Sequence, residues 1–285
     1  MSEQLSQVPH DLPVNGISLH YATWGEFTTP ERAVLLVPGL TANSQEFGLL
    51  GPSLAEQGWY AIAPDLRGRG LSGKPPHGYG IPYHVNDLLA LCDALSLTAP
   101  QIIGHSLGAM IGCFYAAIHP QRLGRLVLID AGGTVPADAL QAIAASLSRL
   151  GQVYPSLDAY LETRRQSPIH TWNPLWEAYY RYDAEVHPDG TVTSRVSKAA
   201  IDEEIRVNAT INADVLLPRI QAPTLILRAT LGTLAPDRGF ILPADEAERV
   251  QSIISGSRLV AVPDTNHYTI IASDVFIRET LAFLG

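Results

Sequence analysis

The stretch Gln101–Pro120, QIIGHSLGAMIGCFYAAIHP, decides the fold. Two isoleucines lead into the pentapeptide GHSLG (residues 104–108), and a segment with helical spacing of Ala, Ile and Phe follows until Pro120 ends it. This order predicts a strand, a sharp turn and a helix, with Ser106 at the turn. The glycines two positions before and after Ser106 remove the Cβ atoms that would clash where the helix passes the strand.

The position of Ser106 at this turn has a chemical consequence. Its hydroxyl is expected to project from the edge of the sheet, beside the first N–H groups of the new helix. Those unpaired donors, together with the positive end of the helix dipole, favour negative charge developing on a substrate oxygen. GxSxG occurs by chance in many sequences, but here the sequence pattern also predicts a strand before it and a helix after it. We therefore interpret Ser106 as a nucleophile rather than as part of a plain glycine-rich turn.

Composition excludes several classes of protein. The chain has 285 residues, of which 46% are hydrophobic and 16% are charged, and its formal net charge is −9. These values are typical of a globular protein long enough for one large α/β domain with an insertion, or for two smaller domains. No cluster of Lys and Arg interrupts the acidic balance, so we expect neither nucleic acid nor an anionic membrane as a partner.

Other composition signals concern the cellular compartment. Cys92 and Cys113 fall within apolar segments that have helical spacing, and we interpret them as buried small hydrophobes rather than as a disulfide. The first residues lack the basic and apolar regions of a signal peptide, and no apolar run reaches the roughly 18 residues of a membrane span. We therefore expect a soluble, cytoplasmic protein that is a monomer or a homodimer.

Continuous apolar runs indicate strands that are buried on both faces of a parallel sheet. They are AVLLV (33–37), WYAIA (59–63), II (102–103), LVLI (126–129), TLIL (224–227) and LVAV (259–262). Helix-patterned segments accompany them, among others at 44–57, 83–95 and 275–284. An alternating segment at 17–21 indicates an antiparallel strand at a sheet edge. Together they predict an α/β fold with a doubly wound, mostly parallel, eight-stranded sheet.

The segment 134–218 interrupts this alternation. It is helix-prone, and it carries seven aromatic side chains, Tyr154, Tyr160, Trp172, Trp176, Tyr179, Tyr180 and Tyr182. We predict that it is a helical cap inserted into a core formed by residues 1–133 and 219–285. Its aromatic residues indicate both a small core of its own and a lid over an apolar pocket.

The same segment contains Arg164, Arg165 and Arg181. We interpret all three as exposed, because long charged side chains usually remain in water. A single inward-pointing arginine would instead indicate a substrate that carries a carboxylate.

Further motifs follow the predicted strands. They are PGL (38–40), PDLRGRGLSG (64–73), LVLID (126–130), PTLILR (223–228) and NHY (266–268). With GHSLG between them, their order resembles that of the α/β-hydrolase fold family over essentially the whole chain. The resemblance implies Ser106 as nucleophile and His267 as base. It also implies that the backbone N–H groups of Leu40 and Leu107 form the oxyanion hole.

The catalytic acid is where this sequence departs from the commonest family pattern. Most members have the pattern LxGxxD after the strand that here reads TLIL, but Gly232 stands where the carboxylate is expected. A minority of members, including some ring-cleavage amide hydrolases and fungal lactonases, resemble this chain in having the acid at the end of an earlier strand, here Asp130. The alternative is Asp237, in the loop 230–243. We rank Asp130 first, because a strand end places it without any excursion of a loop.

The predicted activity is hydrolysis of a small carboxylic ester through an acyl-enzyme. We expect a small apolar or aromatic carbonyl compound as substrate and no metal or organic cofactor, with lactone, amide or carbon–carbon bond hydrolysis as alternatives. A Ser at the elbow disfavours epoxide hydrolase and haloalkane dehalogenase chemistry, which use a carboxylate nucleophile. A ligand-binding protein and a cofactor-free oxygenase on the same fold are the other classes. We interpret His105 as structural and Asp65 as the anchor of a turn.

Overall fold

A computed structural model describes residues 6–167 and 170–285. One eight-stranded sheet contains β1 (Val8–Val14), β2 (Ile17–Trp24), β3 (Ala33–Val37), β4 (Tyr60–Pro64), β5 (Gln101–His105), β6 (Leu126–Ile129), β9 (Thr224–Ala229) and β10 (Arg258–Val262). The two remaining strands, β7 (Ala184–Val186) and β8 (Val192–Ser194), form a separate antiparallel pair.

The strand order in the large sheet is β1-β2-β4-β3-β5-β6-β9-β10. Strands β1, β2 and β4 pair antiparallel, and the other neighbours pair parallel. The predicted eight-stranded, mostly parallel sheet is therefore confirmed. All residues of β3, β5 and β6 are buried, as the apolar runs indicate for strands covered on both faces.

Strand β1 was not predicted, because its sequence VPHDLPV contains two prolines. Proline cannot donate a hydrogen bond to a ladder and therefore weakens a strand prediction, but it is tolerated on an edge strand such as β1. The predicted helix at 44–57 is also divided in the structure. A short 3-10 helix covers Ser44–Phe47, and an α-helix follows at Leu50–Glu56.

Helices cover both faces of the sheet. They are α1 (Leu50–Glu56), α2 (Ile81–Ala94), α3 (Leu107–Ile118), α9 (Ala244–Ile253) and α10 (Asp274–Leu284). Buried side chains of α2, α3 and α9 share one hydrophobic core with the sheet, and those of α1 and α10 share a second core on its other face. The doubly wound arrangement is thus confirmed.

Between β6 and β9 the chain is mostly helical. It contains α4 (Ala137–Leu147), α5 (Leu157–Arg165), α6 (Pro174–Asp183), α7 (Lys198–Asn208) and α8 (Ala213–Leu216), together with the β7–β8 pair. This pair was not predicted, since three-residue strands are too short to show an alternating pattern. We refer to residues 134–218 as the cap segment, and its treatment as a separate unit remains a prediction.

Buried polar side chains attach the cap segment to the sheet layer. Glu204 on α7 pairs with Arg69, and its Oε1 lies 2.8 Å from His84 Nε2. All three side chains are fully buried. Tyr182 on α6 donates to Asp65 Oδ2 at 2.6 Å. Asp65 also accepts from the backbone N–H of Leu71, which anchors its turn as predicted.

Cys92 and Cys113 are buried and unpaired, as predicted. Burial in an apolar environment raises the pKa of each thiol to about 12, so neither is a reactive thiolate at neutral pH. Within the described residues, every helix is too short or too polar to cross a lipid bilayer.

Candidate active site

Ser106 lies between the end of β5 and the start of α3, with φ 54° and ψ −116°. This left-handed backbone is strained for a residue with a side chain, and it is held because Ser106 N–H donates to Ile129 O at 3.1 Å. The flanking glycines are required by space. A Cβ on Gly108 would lie 1.9 Å from Val37 O, and one on Gly104 would lie 2.2 Å from Gly108 O.

His267 and Asp130 are brought together from distant parts of the chain. His267 Nδ1 lies 2.9 Å from Asp130 Oδ2, and Asp130 Oδ1 accepts from Ala229 N–H at 2.9 Å. Asp130 has φ 47°, a second strained backbone position in this region. The carboxylate at the end of β6 is therefore held by the backbone of β9 on one oxygen and faces the imidazole with the other.

The position that usually supplies the acid in this fold is closed. A Cβ on Gly232 would lie 1.8 Å from Arg238 O, so the loop backbone itself fills the space of a side chain. Asp237, the alternative acid, is exposed in the same loop. Of the two candidates, Asp130 is the one in contact with His267.

His267 is buried, and its environment favours the neutral imidazole. Burial lowers its pKa, the hydrogen bond with Asp130 opposes this, and the nearby His105 lowers the pKa further, with a net decrease. Within the part of the chain that the structure describes, no hydrogen bond joins Ser106 Oγ to His267. In many hydrolases that bond forms or shortens only when a substrate is bound.

Ser106 and His267 line the same cavity, which has a volume of about 120 Å³. Its walls come from the loop after β3, from α4 and the following turn, and from α6. They include Gly39, Leu40, Thr41, Ile143, Leu147, Trp176, Tyr179, Tyr180 and Tyr268. Three of the seven predicted cap aromatics, Trp176, Tyr179 and Tyr180, therefore line the cavity, together with residues from outside the cap segment.

The two backbone groups predicted for the oxyanion hole flank Ser106. Leu40 lines the cavity, and Leu107 is the first residue of α3. Among the described residues, neither N–H donates a hydrogen bond. The loop that carries Leu40 is held in place on both sides: Leu40 O accepts from Arg69 Nε at 2.9 Å, and Gly39 N–H donates to Glu46 Oε2 at 3.0 Å.

Arg149 is a cavity residue that was not predicted from the sequence. Its Nη2 donates to Thr41 Oγ1 at 2.9 Å, whereas its Nη1 is buried without a partner among the described residues. A buried guanidinium nitrogen without an acceptor is costly, and it suits a ligand that brings an oxygen. No motif marks Arg149, because it follows α4 in a turn of the cap segment.

The prediction that the cap arginines are exposed is wrong for Arg164. This side chain is buried, with its guanidinium 4.6 Å from the ring centroid of Tyr160, because three tyrosine rings enclose it. Arg165 and Arg181 do reach solvent, and both pair with Glu177. In residues 6–167 and 170–285, no three His, Cys, Asp or Glu side chains are grouped so as to hold a metal ion.

Comparisons with known proteins agree with this architecture. The family described as alpha/beta hydrolase fold matches residues 32–274. A 2-(acetamidomethylene)succinate hydrolase from Mesorhizobium japonicum is 28% identical over 242 residues, which are 82% of this chain and 81% of the relative. A serine hydrolase-like protein from Danio rerio is 33% identical over 129 residues, which are 45% of this chain and only 39% of the relative.

A solved structure of an E-2-(acetamidomethylene)succinate hydrolase superposes with a TM-score of 0.87. It covers 98% of this chain and 99% of its own, at 22% sequence identity, a level at which the likeness shows the fold. The family match over most of the chain is the finding that decides membership. This chain therefore belongs to the α/β-hydrolase fold family and is a hydrolase.

Proposed function

We propose that this hydrolase cleaves a small ester or amide that carries a carboxylate, through an acyl-enzyme on Ser106. The observation that carries the proposal is that one small cavity is lined both by the serine at the strained turn and by Arg149, whose Nη1 is buried without a partner among the described residues. The serine and its neighbours supply the chemistry, and the arginine supplies recognition of the substrate.

In the proposed reaction, His267 Nε2 takes the proton of Ser106 as Ser106 Oγ attacks the carbonyl carbon. Asp130 accepts from Nδ1–H, which keeps the imidazole in the required tautomer and stabilises the imidazolium as it forms. The N–H groups of Leu40 and Leu107 donate to the oxyanion of the tetrahedral intermediate. His267 then gives its proton to the leaving group, and water attacks the acyl-enzyme by the same steps.

Arg149 supports a substrate with a carboxylate for two reasons. A guanidinium is always charged in proteins, and its planar N–H groups match the two oxygens of a carboxylate. One of these groups already binds Thr41, which orients the side chain, and Nη1 is left for the ligand. In a chain of net charge −9, a cation that lines the same cavity as the candidate nucleophile is a specific feature rather than part of a basic surface.

The name of the relative from Mesorhizobium japonicum supports the same class, since it describes an acetamido group on a succinate. An acetamido group is an amide, and a succinate has two carboxylates. We therefore place an amide of a small carboxylic acid beside the ester predicted from the sequence. An ester needs less protonation of its leaving group than an amide does, so esters are the simpler first probes of the acyl transfer.

The experiment compares two p-nitrophenyl esters of similar size, butyrate and the hemisuccinate, with the native protein and with Arg149→Met. We expect the variant to lose about 10- to 100-fold in kcat/KM for the hemisuccinate, since a charged hydrogen bond contributes about 1.5–3 kcal/mol. Butyrate hydrolysis should change by less than about threefold, because no charged contact is lost.

Arg165→Met is the matched control, because Arg165 pairs with Glu177 away from the cavity. It should leave both substrates unaffected. An equal loss of kcat/KM on both esters with Arg149→Met would contradict the proposed carboxylate site but not the acyl-enzyme. Unchanged ester hydrolysis by a Ser106→Ala protein free of native enzyme would contradict the acyl-enzyme proposal itself.

A further inference from the structure

Next to Ser106, in the wall of the same cavity, lies a second carboxylate–imidazole pair that the proposed reaction does not use. Glu46 belongs to the short 3-10 helix after the loop of Gly39 and Leu40, and His105 is the last residue of β5. Their exposed fractions are 6% and 3%. His105 immediately precedes Ser106, and both residues of the pair line the same cavity as Ser106.

The pair belongs to an unbroken series of hydrogen bonds. Gly39 N–H donates to Glu46 Oε2 at 3.0 Å, Glu46 Oε1 lies 2.8 Å from His105 Nδ1, and His105 Nε2 lies 2.9 Å from the carbonyl oxygen of His267. The series thus runs from the loop of the oxyanion hole, through the residue that precedes the nucleophile, to the backbone of the candidate base.

The contacts at the two ends restrict the protonation of His105. A carbonyl oxygen can only accept, so Nε2 must carry a proton to bind His267 O. The other nitrogen faces a carboxyl group that already accepts from Gly39, and a proton on either His105 Nδ1 or Glu46 Oε1 is needed to make that contact attractive. His105 with both nitrogens protonated, beside an ionised Glu46, satisfies every contact.

We propose that Glu46 and His105 are positioning residues that hold, as an ion pair, the oxyanion loop and the His267 backbone in register about Ser106. Neither side chain reacts with the substrate. The inference rests on the proposed function for its kinetic consequence, whereas the ion pair can be detected without any substrate.

Electrostatics around His105 agree with this assignment. Burial alone lowers the pKa of His105, but the charge and hydrogen bond of Glu46, with smaller contributions from Asp130 and the His267 carbonyl, raise it overall. The rings of His105 and His267 are 4.6 Å apart, so a cationic His105 disfavours a second cation on His267. Tyr179 faces Glu46, and burial raises its pKa well above 10.0, so it adds no charge at neutral pH.

Two substitutions of Glu46 separate positioning from general stability. Glutamine retains all three contacts, because its carbonyl accepts from Gly39 and its amide donates to a neutral His105 that still binds His267 through Nε2. Alanine leaves Gly39 N–H and His105 without their partner. Asp87→Ala is the matched control, since Asp87 is also buried and paired, with Arg67, but lies outside the cavity.

The rate at which a fluorophosphonate labels Ser106 is the kinetic measurement, because phosphonylation needs both the base and the oxyanion hole but no natural substrate. We expect Glu46→Ala to slow labelling about 10²-fold, the cost of a misplaced catalytic geometry. Glu46→Gln should remain within about threefold of the native rate, since its hydrogen bonds persist. Asp87→Ala should label normally at temperatures below its unfolding transition.

The second measurement is the ¹⁵N NMR spectrum of the histidine side chains at neutral pH, assigned with His105→Gln. Native His105 should show two protonated ring nitrogens, and Glu46→Gln should leave only Nε2 protonated. An unprotonated Nδ1 in the native protein would overturn the ion pair. Normal labelling of Glu46→Ala would overturn the positioning role.

The labelling experiment also distinguishes this inference from the proposed function. A native protein that is not labelled, or a Ser106→Ala protein that is, would contradict the nucleophile assignment. The NMR result would still decide the state of Glu46 and His105 in that case, because it requires no reaction at Ser106.

Discussion

Asp130 Oδ2 and His267 Nδ1 are 2.9 Å apart although 137 residues separate them in the sequence. The carboxylate comes from the end of β6, next to the strand that leads into Ser106. Strand β9 contributes a backbone N–H from Ala229 to the other oxygen of Asp130. In most family members the acid follows the strand that corresponds to β9. Here β9 instead orients the carboxylate of Asp130, which follows β6.

This contact predicts an unequal effect of two Asp→Asn substitutions. Asp130→Asn should lower kcat by about 10³- to 10⁴-fold, because an amide can stabilise the wrong imidazole tautomer and cannot stabilise the imidazolium. Asp237→Asn should lower it about tenfold or less, since Asp237 is exposed in its loop. Steady-state kinetics on p-nitrophenyl butyrate measure both, and the opposite ranking would refute the assignment of Asp130.

An aspartate introduced at position 232 should not replace Asp130 as the catalytic acid. Gly232→Asp should destabilise the fold by about 3 kcal/mol, because its Cβ would overlap the backbone of Arg238. Asp130→Asn combined with Gly232→Asp should remain as inactive as Asp130→Asn alone. Leu234→Asp adds the same charge at an exposed position of this loop and should be tolerated, as thermal unfolding can show. Restored activity in the double variant would contradict the closed geometry.

The environment of His267 predicts the acid side of the pH profile. Burial and the neighbouring His105 lower its pKa below the ordinary value of 6.5, against the opposing effect of Asp130. The neutral imidazole is the proposed base, so a lower pKa moves its protonation to lower pH. We expect the midpoint of the decline in kcat/KM on the acid side to lie below pH 6.5. A midpoint at or above 6.5, in a protein still folded at that pH, would count against this assignment.

The buried link between the cap segment and the sheet predicts a large stability effect. Glu204→Ala should lower the free energy of unfolding by about 3–5 kcal/mol, since it leaves Arg69 buried without its carboxylate. Asp202→Ala breaks the exposed pair with Lys198 on the same helix and should cost about 1 kcal/mol or less. Urea unfolding followed by tryptophan fluorescence measures both, and equal effects would contradict the prediction.

The same link has a defined pH dependence. Burial alone would raise the pKa of Glu204, but His84 and Arg69 lower it to about 2 from an ordinary 4.5. A depressed carboxyl pKa stabilises the fold above the unfolded value, and this contribution is lost as pH falls from about 4.5 towards 2. The difference in stability between native protein and Glu204→Ala should therefore narrow over that range.

Local patterns in the sequence were sufficient for the architecture. Buried strands such as β3 are continuous apolar runs. The glycines of the GHSLG turn are required because a Cβ at either position would lie within 2.2 Å of a backbone oxygen. Such signals depend on neighbours a few residues away in the sequence, so they can be recognised without a structure. Strand β1 and the β7–β8 pair were missed because prolines or short length remove the local signal.

The tertiary structure decided which distant groups meet. The predicted strand topology favours Asp130 over Asp237, but the contact with His267 depends on where the chain segments after two strands lie at one edge of the sheet. Arg149 and Glu46 had no motif, because their neighbours at the cavity come from other elements of the chain. Periodicity determines which face of an element is buried, whereas only long-range packing determines which polar side chains share that buried space.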